Sequence, residues 1–298
     1  AHCVNLTTIH LPENMERIGR GAFEWCENLE RLDGLNYLYE AGPYAFSMCY
    51  QLKEAEFAAS LSHLADGLFR NCESLTSITL SSQVLNDDDS YGMSPFDGDY
   101  HLEEVNILQD VIPEYGAVPA GLFRGCTGLR FFEIPSFVRK IRNNAFEDTG
   151  LQSIVIPDSV EEIEEYAFKN CRDLVNVTLS KNLKTLPSGL FSGCTSLEEI
   201  ELPASLSGNE ADGSPYEGPF SYCSSLKTVT FAEGFKVIPG KLFKDCTGLR
   251  QIHIPESVTH IGENTFENTQ LTDVWMTCFL EKVGDYAFDL SETAVHGL

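Results

Sequence analysis

Three absences narrow this 298-residue sequence at the outset. No apolar run approaches the ~20 residues that a bilayer-spanning helix needs, so direct membrane insertion is not expected. Basic residues are scarce. Lys and Arg total 20 against 45 Asp and Glu, a formal charge of −25. A chain so acidic neutralises few phosphates, which excludes nonspecific nucleic-acid binding, and anionic membrane surfaces repel it. The start also lacks a basic-then-apolar signal segment. We expect either that a signal was removed or that the chain is a segment of a longer precursor.

Catalytic signatures are missing as well. His2, His10, His63, His101, His253, His260 and His296 form no H-E-x-x-H. No G-x-S-x-G elbow, P-loop or dinucleotide glycine motif occurs. His253 lies one strand from Asp273, but no nucleophile converges on them. The cysteines form no C-x-x-C pair and have no adjacent His, a poor set for zinc. We therefore expect no enzyme and no cofactor. Hydrophobic residues at 43% and charged residues at 22% are the composition of a folded soluble chain, not a disordered one.

What the sequence does have is a period. One aromatic slot recurs as Phe23, Phe46, Phe69, Phe96, Phe123, Phe146, Phe168, Phe191, Phe220, Phe243, Phe266 and Phe288. Three residues later comes a second slot, filled by Cys26, Cys49, Cys72, Asp99, Cys126, Thr149, Cys171, Cys194, Cys223, Cys246, Thr269 and Ser291. Three further on, a Leu opens L-x-x-I-x-I, as in Leu151-Ile154-Ile156 and Leu249-Ile252-Ile254. Alternation around the last two apolar positions predicts a short strand. Pro often follows, as at Pro135, Pro157 and Pro255, where its missing donor ends the ladder. A second apolar pair, such as Val160 and Ile163, precedes the next Phe. One such turn cannot bury its own apolar edge, whereas stacked turns cover one another. Twelve turns at ~4.8 Å per parallel strand predict a single solenoid domain over 1–298, roughly 55 Å long.

The L-x-x-I-x-I-P, V-x-x-I and A-F-x-x-C segments resemble a leucine-rich repeat of the BspA-like class, from about Cys3 to Ser291. The resemblance implies a leucine-rich repeat solenoid: α/β, horseshoe-like, with short parallel strands. It further implies a cell-surface or secreted protein, bacterial or from a parasitic protist, that adheres to a host or matrix protein or a glycan and is not an enzyme. A structural spacer that projects other domains of a longer surface protein is the alternative.

Nine of the ten Cys share one slot, counting Cys3 at the start of the chain. This predicts a buried ladder of reduced thiols, since free Cys behaves as a small hydrophobe. Cys126, between Asp99 and Thr149, has no Cys in either neighbouring turn. The twelve Phe are expected to stack as core. Asn71 and Asn170, just before the Cys slot, are expected to satisfy turn backbone.

Two positions flank the middle apolar residue of each strand and should face solvent. The first set runs Thr8, Arg31, Glu54, Ser77, Glu104, Phe131, Ser153, Asn176, Glu199, Thr228, Gln251 and Asp273. The second runs His10, Asp33, Glu56, Thr79, Asn106, Glu133, Val155, Thr178, Glu201, Thr230, His253 and Trp275. Among them Glu104, Glu133, Glu199 and Glu201 favour basic partners, and the aromatics Phe131 and Trp275 are candidate anchors.

Two insertions interrupt the period, near 84–99 (VLNDDDSYGMSPFDGD) and 207–219 (SGNEADGSPYEGP). Both precede a Phe slot and so should emerge from one side. Function often sits in loops on a rigid scaffold. Tyr91 and Tyr216, with Tyr115 in the extended turn that follows the first insertion, are candidate loop contacts. Asp87, Asp88, Asp89, Asp97 and Asp99 offer oxygens to Ca²⁺, although they do not match the EF-hand spacing.

Overall fold

The computed structural model describes residues 3–57, 61, 63–86, 92–109, 111–206, 217–276 and 279–288, and the backbone of 294–297. The chain divides into two compact units, Ala1–Phe132 with Phe137–Gly150 and Glu133–Ser136 with Leu151–Leu298. Both are built from the same turn.

In the first unit Thr8–His10 pairs with Arg31–Asp33, and Glu54–Glu56, Ser77–Ser81 and Glu104–Leu108 form a three-stranded sheet. In the second, Ser153–Val155 pairs with Asn176–Thr178 and Glu199–Leu202 with Thr228–Phe231, while Gln251–His253, Asp273–Met276 and Ala294–Gly297 form a sheet. All these pairs are parallel. The alternation of the sequence sets which side faces in: Ile78, Ile154, Ile200, Ile252 and Val274 are buried between outward neighbours. A second row of two-residue strands follows the V-x-x-I segments, as Ala117–Val118 with Lys140–Ile141 and Val237–Ile238 with His260–Ile261. Among the described residues the helical elements are three short 3-10 segments, Leu35–Tyr37, Ser82–Leu85 and Ala204–Leu206. The back of each turn is thus made of turns rather than α-helices.

The Phe slot is the axis of the core. In the second unit the rings of Phe168, Phe191, Phe220, Phe243 and Phe266 stack nearly parallel at 5.3 to 5.7 Å. In the first, Phe46, Phe69, Phe96 and Phe123 do so at 5.5 to 6.0 Å. These separations lie in the range favoured by offset aromatic pairs.

Around each Phe the backbone bonds in two directions. Tyr166, Phe168 and Asn170 donate their N–H groups one turn forward, to Ser188, Leu190 and Ser192, while Lys169 and Cys171 donate back within their own turn. This alternation puts the residues two before and two after Phe in the left-handed region, as at Tyr166 (φ 59°) and Asn170 (φ 58°). Asn71 and Asn170 are thus left-handed turn residues, and the Asn71 side chain donates to Met48 Sδ at 3.2 Å rather than to turn backbone.

The nine described cysteines are free thiols, and all but Cys3 are buried. The tenth, Cys278, lies outside the described residues. Five of the buried thiols share one bond: Cys49, Cys72, Cys194, Cys223 and Cys246 each donate to the Phe carbonyl of the preceding turn. Cys72 bonds Phe46 at 3.1 Å, Cys194 bonds Phe168 at 3.2 Å and Cys246 bonds Phe220 at 3.0 Å. Thr149 and Thr269 instead donate to the Phe carbonyl of their own turn, at 2.9 and 2.8 Å. Burial pushes the Cys49 and Cys223 thiols up to about 12 and holds Cys126 well above its ordinary value. These are packing groups, not nucleophiles.

Candidate recognition face

The outward strand positions are the candidate site. None of the residues of the two sets is buried. Successive rungs sit in register. Glu54 and Glu56 lie beside Ser77 and Thr79, which lie beside Glu104 and Asn106. Asn106 donates to the Glu104 carboxylate at 3.0 Å, fixing its direction. Toward the start of the first unit the charge is internally matched. Asp33 takes Arg31 at 2.9 Å and His10 at 2.8 Å, and the Arg31 hydrogen bond holds its carboxyl below the usual range.

In the second unit Glu199 and Glu201 lie in register with Thr228 and Thr230. The pairing then brings His253 beside Trp275, and the two rings stack at 4.2 Å with planes 4° apart. Both are second-set positions in consecutive turns, so Trp275, a candidate anchor in the sequence, stands as one half of a stacked pair.

Phe131 is 62% exposed, as expected of an outward residue, and Glu133 is exposed. Their segment, however, is not a strand, contrary to expectation. The inward residue here is Phe132, packed 5.0 Å from Phe123 and 5.3 Å from Phe146, where other turns carry Ile, Val, Leu or Ala. The larger ring coincides with loss of the strand pairing. Glu104 and Phe131 belong to the first unit, whereas Glu133, Glu199, Glu201 and Trp275 belong to the second.

The insertions are only partly described. Tyr91, Tyr216 and Asp87, Asp88 and Asp89 lie outside the described residues. Of the other acidic residues considered for Ca²⁺, Asp97 pairs with Arg70 at 3.1 Å, and Asp99 is fully buried, accepting from the Cys72 N–H at 2.6 Å. The first insertion begins as structure rather than loop, since Val84 and Leu85 are buried in a 3-10 segment. The second returns at Glu217, which pairs with Lys169 at 3.0 Å and whose carbonyl accepts from Ser188 Oγ at 2.8 Å. Tyr115 is 57% exposed. Among the described residues no group of three His, Cys, Asp or Glu is placed to hold a metal ion, and no helix is long and apolar enough to cross a membrane.

Parallel strand rungs, an apolar ladder behind them and turns closing the back define a leucine-rich repeat solenoid. The model of the BspA-type leucine-rich repeat region matches residues 1–116, 116–211 and 215–294, and the chain belongs to that family. Among solved structures, a leucine-rich repeat protein from Bacteroides ovatus is similar over 100% of this chain and 85% of its own, at 24% identity and a TM-score of 0.69. Another, from Eubacterium ventriosum, is similar over 91% of this chain and 78% of its own, at 23% identity and a TM-score of 0.50. No curated protein matches the chain.

Proposed function

We propose that the chain is a non-enzymatic recognition module of a cell-surface or secreted protein, and that it binds a host or matrix protein or glycan through the outward strand positions. One observation carries the reading. The inward positions are restricted to a few apolar residue types, whereas the outward positions vary freely and are all accessible. Family membership supports it, because BspA-type proteins are typically surface-associated and engaged in protein interaction. Several adjacent turns supply the roughly 800 Å² per partner that a standard interface needs. Glu104, Glu133, Glu199 and Glu201 favour a basic partner and faster encounter at low salt.

The test is capture from host extracellular extract, followed by binding kinetics on the recovered partner. Glu104→Lys, Glu133→Lys, Glu199→Lys, Glu201→Lys, Phe131→Ala and Trp275→Ala are compared with the unmodified chain. Slower association in the charge variants, and faster dissociation in the aromatic ones, is the expected result. Unchanged kinetics in all six, with folding intact, moves the site off the strand side. Failure to capture any partner favours the spacer reading.

A further inference from the structure

The turn after Glu104–Leu108 breaks the burial rule of its neighbours. The pairing of Ala117 with Lys140 and Val118 with Ile141 puts Tyr115 in register with Val138. Val138 is fully buried, as are Val160 and Val258 at the same place in their turns, but Tyr115 is 57% exposed. Just before it, Val111 is 42% and Ile112 80% exposed, while Pro113 is buried. In the turns of Val160 and Val258 the exposed residue of this segment is polar, Asp158 and Glu256.

Exposure here does not come from a slack loop. The Val111 N–H donates to Ser82 Oγ at 3.2 Å, the Ser82 hydroxyl donates to the Val111 carbonyl, and the Tyr115 N–H donates to Asn86 Oδ1 at 3.3 Å. Both anchors belong to the preceding turn, so three large apolar side chains are held in water on a fixed backbone. Fixing them beforehand removes ordering cost from a later association.

We propose that Val111, Ile112 and Tyr115 form a second docking element, off the strand side, for a segment of a partner protein that combines apolar and basic side chains. The apolar half meets Ile112 and Tyr115. The basic half meets the exposed Glu114 between them and the field of a chain with charge −25. That same charge opposes a lipid surface, since anionic leaflets attract basic rather than acidic segments. The inference does not depend on the strand-side reading, and its variants are separate.

The probe is a displayed library of random dodecapeptides, panned on the immobilised full chain. Enriched peptides should pair aliphatic or aromatic residues with Lys or Arg. They should lose at least about tenfold in affinity, about 1.4 kcal/mol, to Ile112→Ser and to Tyr115→Ser. Glu114→Lys should weaken them as well, and Glu199→Lys should not. Urea midpoints confirm that each variant is folded. Peptides indifferent to these substitutions, or no enrichment, overturn the proposal. So does Ile112-dependent co-sedimentation with phosphatidylcholine vesicles, which assigns the element to lipid, or an Ile112-dependent dimer in sedimentation velocity, which assigns it to a second copy.

Discussion

A β-carbon on Gly189 would stand 2.4 Å from the ring of Tyr166, one turn earlier in the chain. The ring is held there from both sides of its turn: Tyr166 sits at φ 59°, and Lys169 lies 4.8 Å over its face while pairing with Glu217. Tyr44 stands in the same way over Gly67, and Asn170 over Gly193. In these three pairs the side chain at a left-handed position lies where a β-carbon on the matching residue one turn on would stand, and that residue is glycine. Each of the three pairs couples residues 23 apart.

That coupling predicts unequal costs for two glycine substitutions. Gly189 and Gly234 both have left-handed φ, 60° and 86°, but nothing lies within 4 Å of a β-carbon built on Gly234. Each Gly→Ala change carries the left-handed penalty of about 1–2 kcal/mol. Gly189→Ala should cost more, because the Tyr166 ring must also move. Combining it with Tyr166→Ala should give less than the sum of the two single losses, the signature of contacting residues. Urea melts of the four variants decide this. Equal midpoints for Gly189→Ala and Gly234→Ala would show that the ring yields freely.

The Phe and strand-side positions predict a larger contrast. Phe168 is fully buried and stacks on Phe191 at 5.3 Å, whereas Glu199 faces solvent. Phe168→Ala should lose about 3–5 kcal/mol through lost transfer energy and the cavity left behind. Glu199→Ala should stay within about 0.5 kcal/mol. Similar denaturation midpoints for the two would invert the assigned faces.

The core was legible because its signal repeats. Phe168, Cys171, Leu174 and Val177 recur at nearly constant spacing, and a stacked core admits few residue types at each place. Outward sets followed from alternation and emerged unburied. What stayed hidden depends on size and conformation rather than on polarity. Phe132 reads as one more apolar residue, yet its bulk accompanies the missing strand at 131–133. Tyr115 reads as a loop aromatic, and only the register with Val138 shows that it stands at a core position. The Tyr166–Gly189 contact needs the left-handed φ of both residues, which composition does not reveal.

Cys126 should behave as an inert thiol. It is free and fully buried, and burial, reinforced by Asp99 and Asp97, holds its pKa well above the ordinary value. The thiolate is the reacting species, so native protein should leave Cys126 unlabelled near neutral pH while the exposed Cys3 reacts. Denaturation should release it. Mass mapping after alkylation reads both outcomes. A Cys126 disulfide, or labelling as fast as Cys3, would contradict the ladder.

Asp99 occupies the cysteine slot without a thiol's tolerance for burial. Its side chain is fully buried, Oδ1 accepts from the Cys72 N–H, and Oδ2 has no hydrogen-bond partner. Burial pushes its pKa well above the ordinary 3.8; the Asp97 charge adds to the rise and the Cys72 N–H opposes it. The folded state therefore keeps a proton that the unfolded chain has already lost. This contribution to stability is full below the unfolded value and declines as pH rises toward and through the folded one, by at most about 1.4 kcal/mol per pH unit. Asp99→Asn has nearly the same shape and no proton to lose. Its urea midpoint should approach that of the unmodified chain near about pH 4 and exceed it increasingly toward about pH 8. The flanking thiols do not blur the comparison, because burial holds Cys72 and Cys126 protonated over that range. Midpoints that run parallel across the whole range would mean that Asp99 ionises as freely in the folded chain as in the unfolded one.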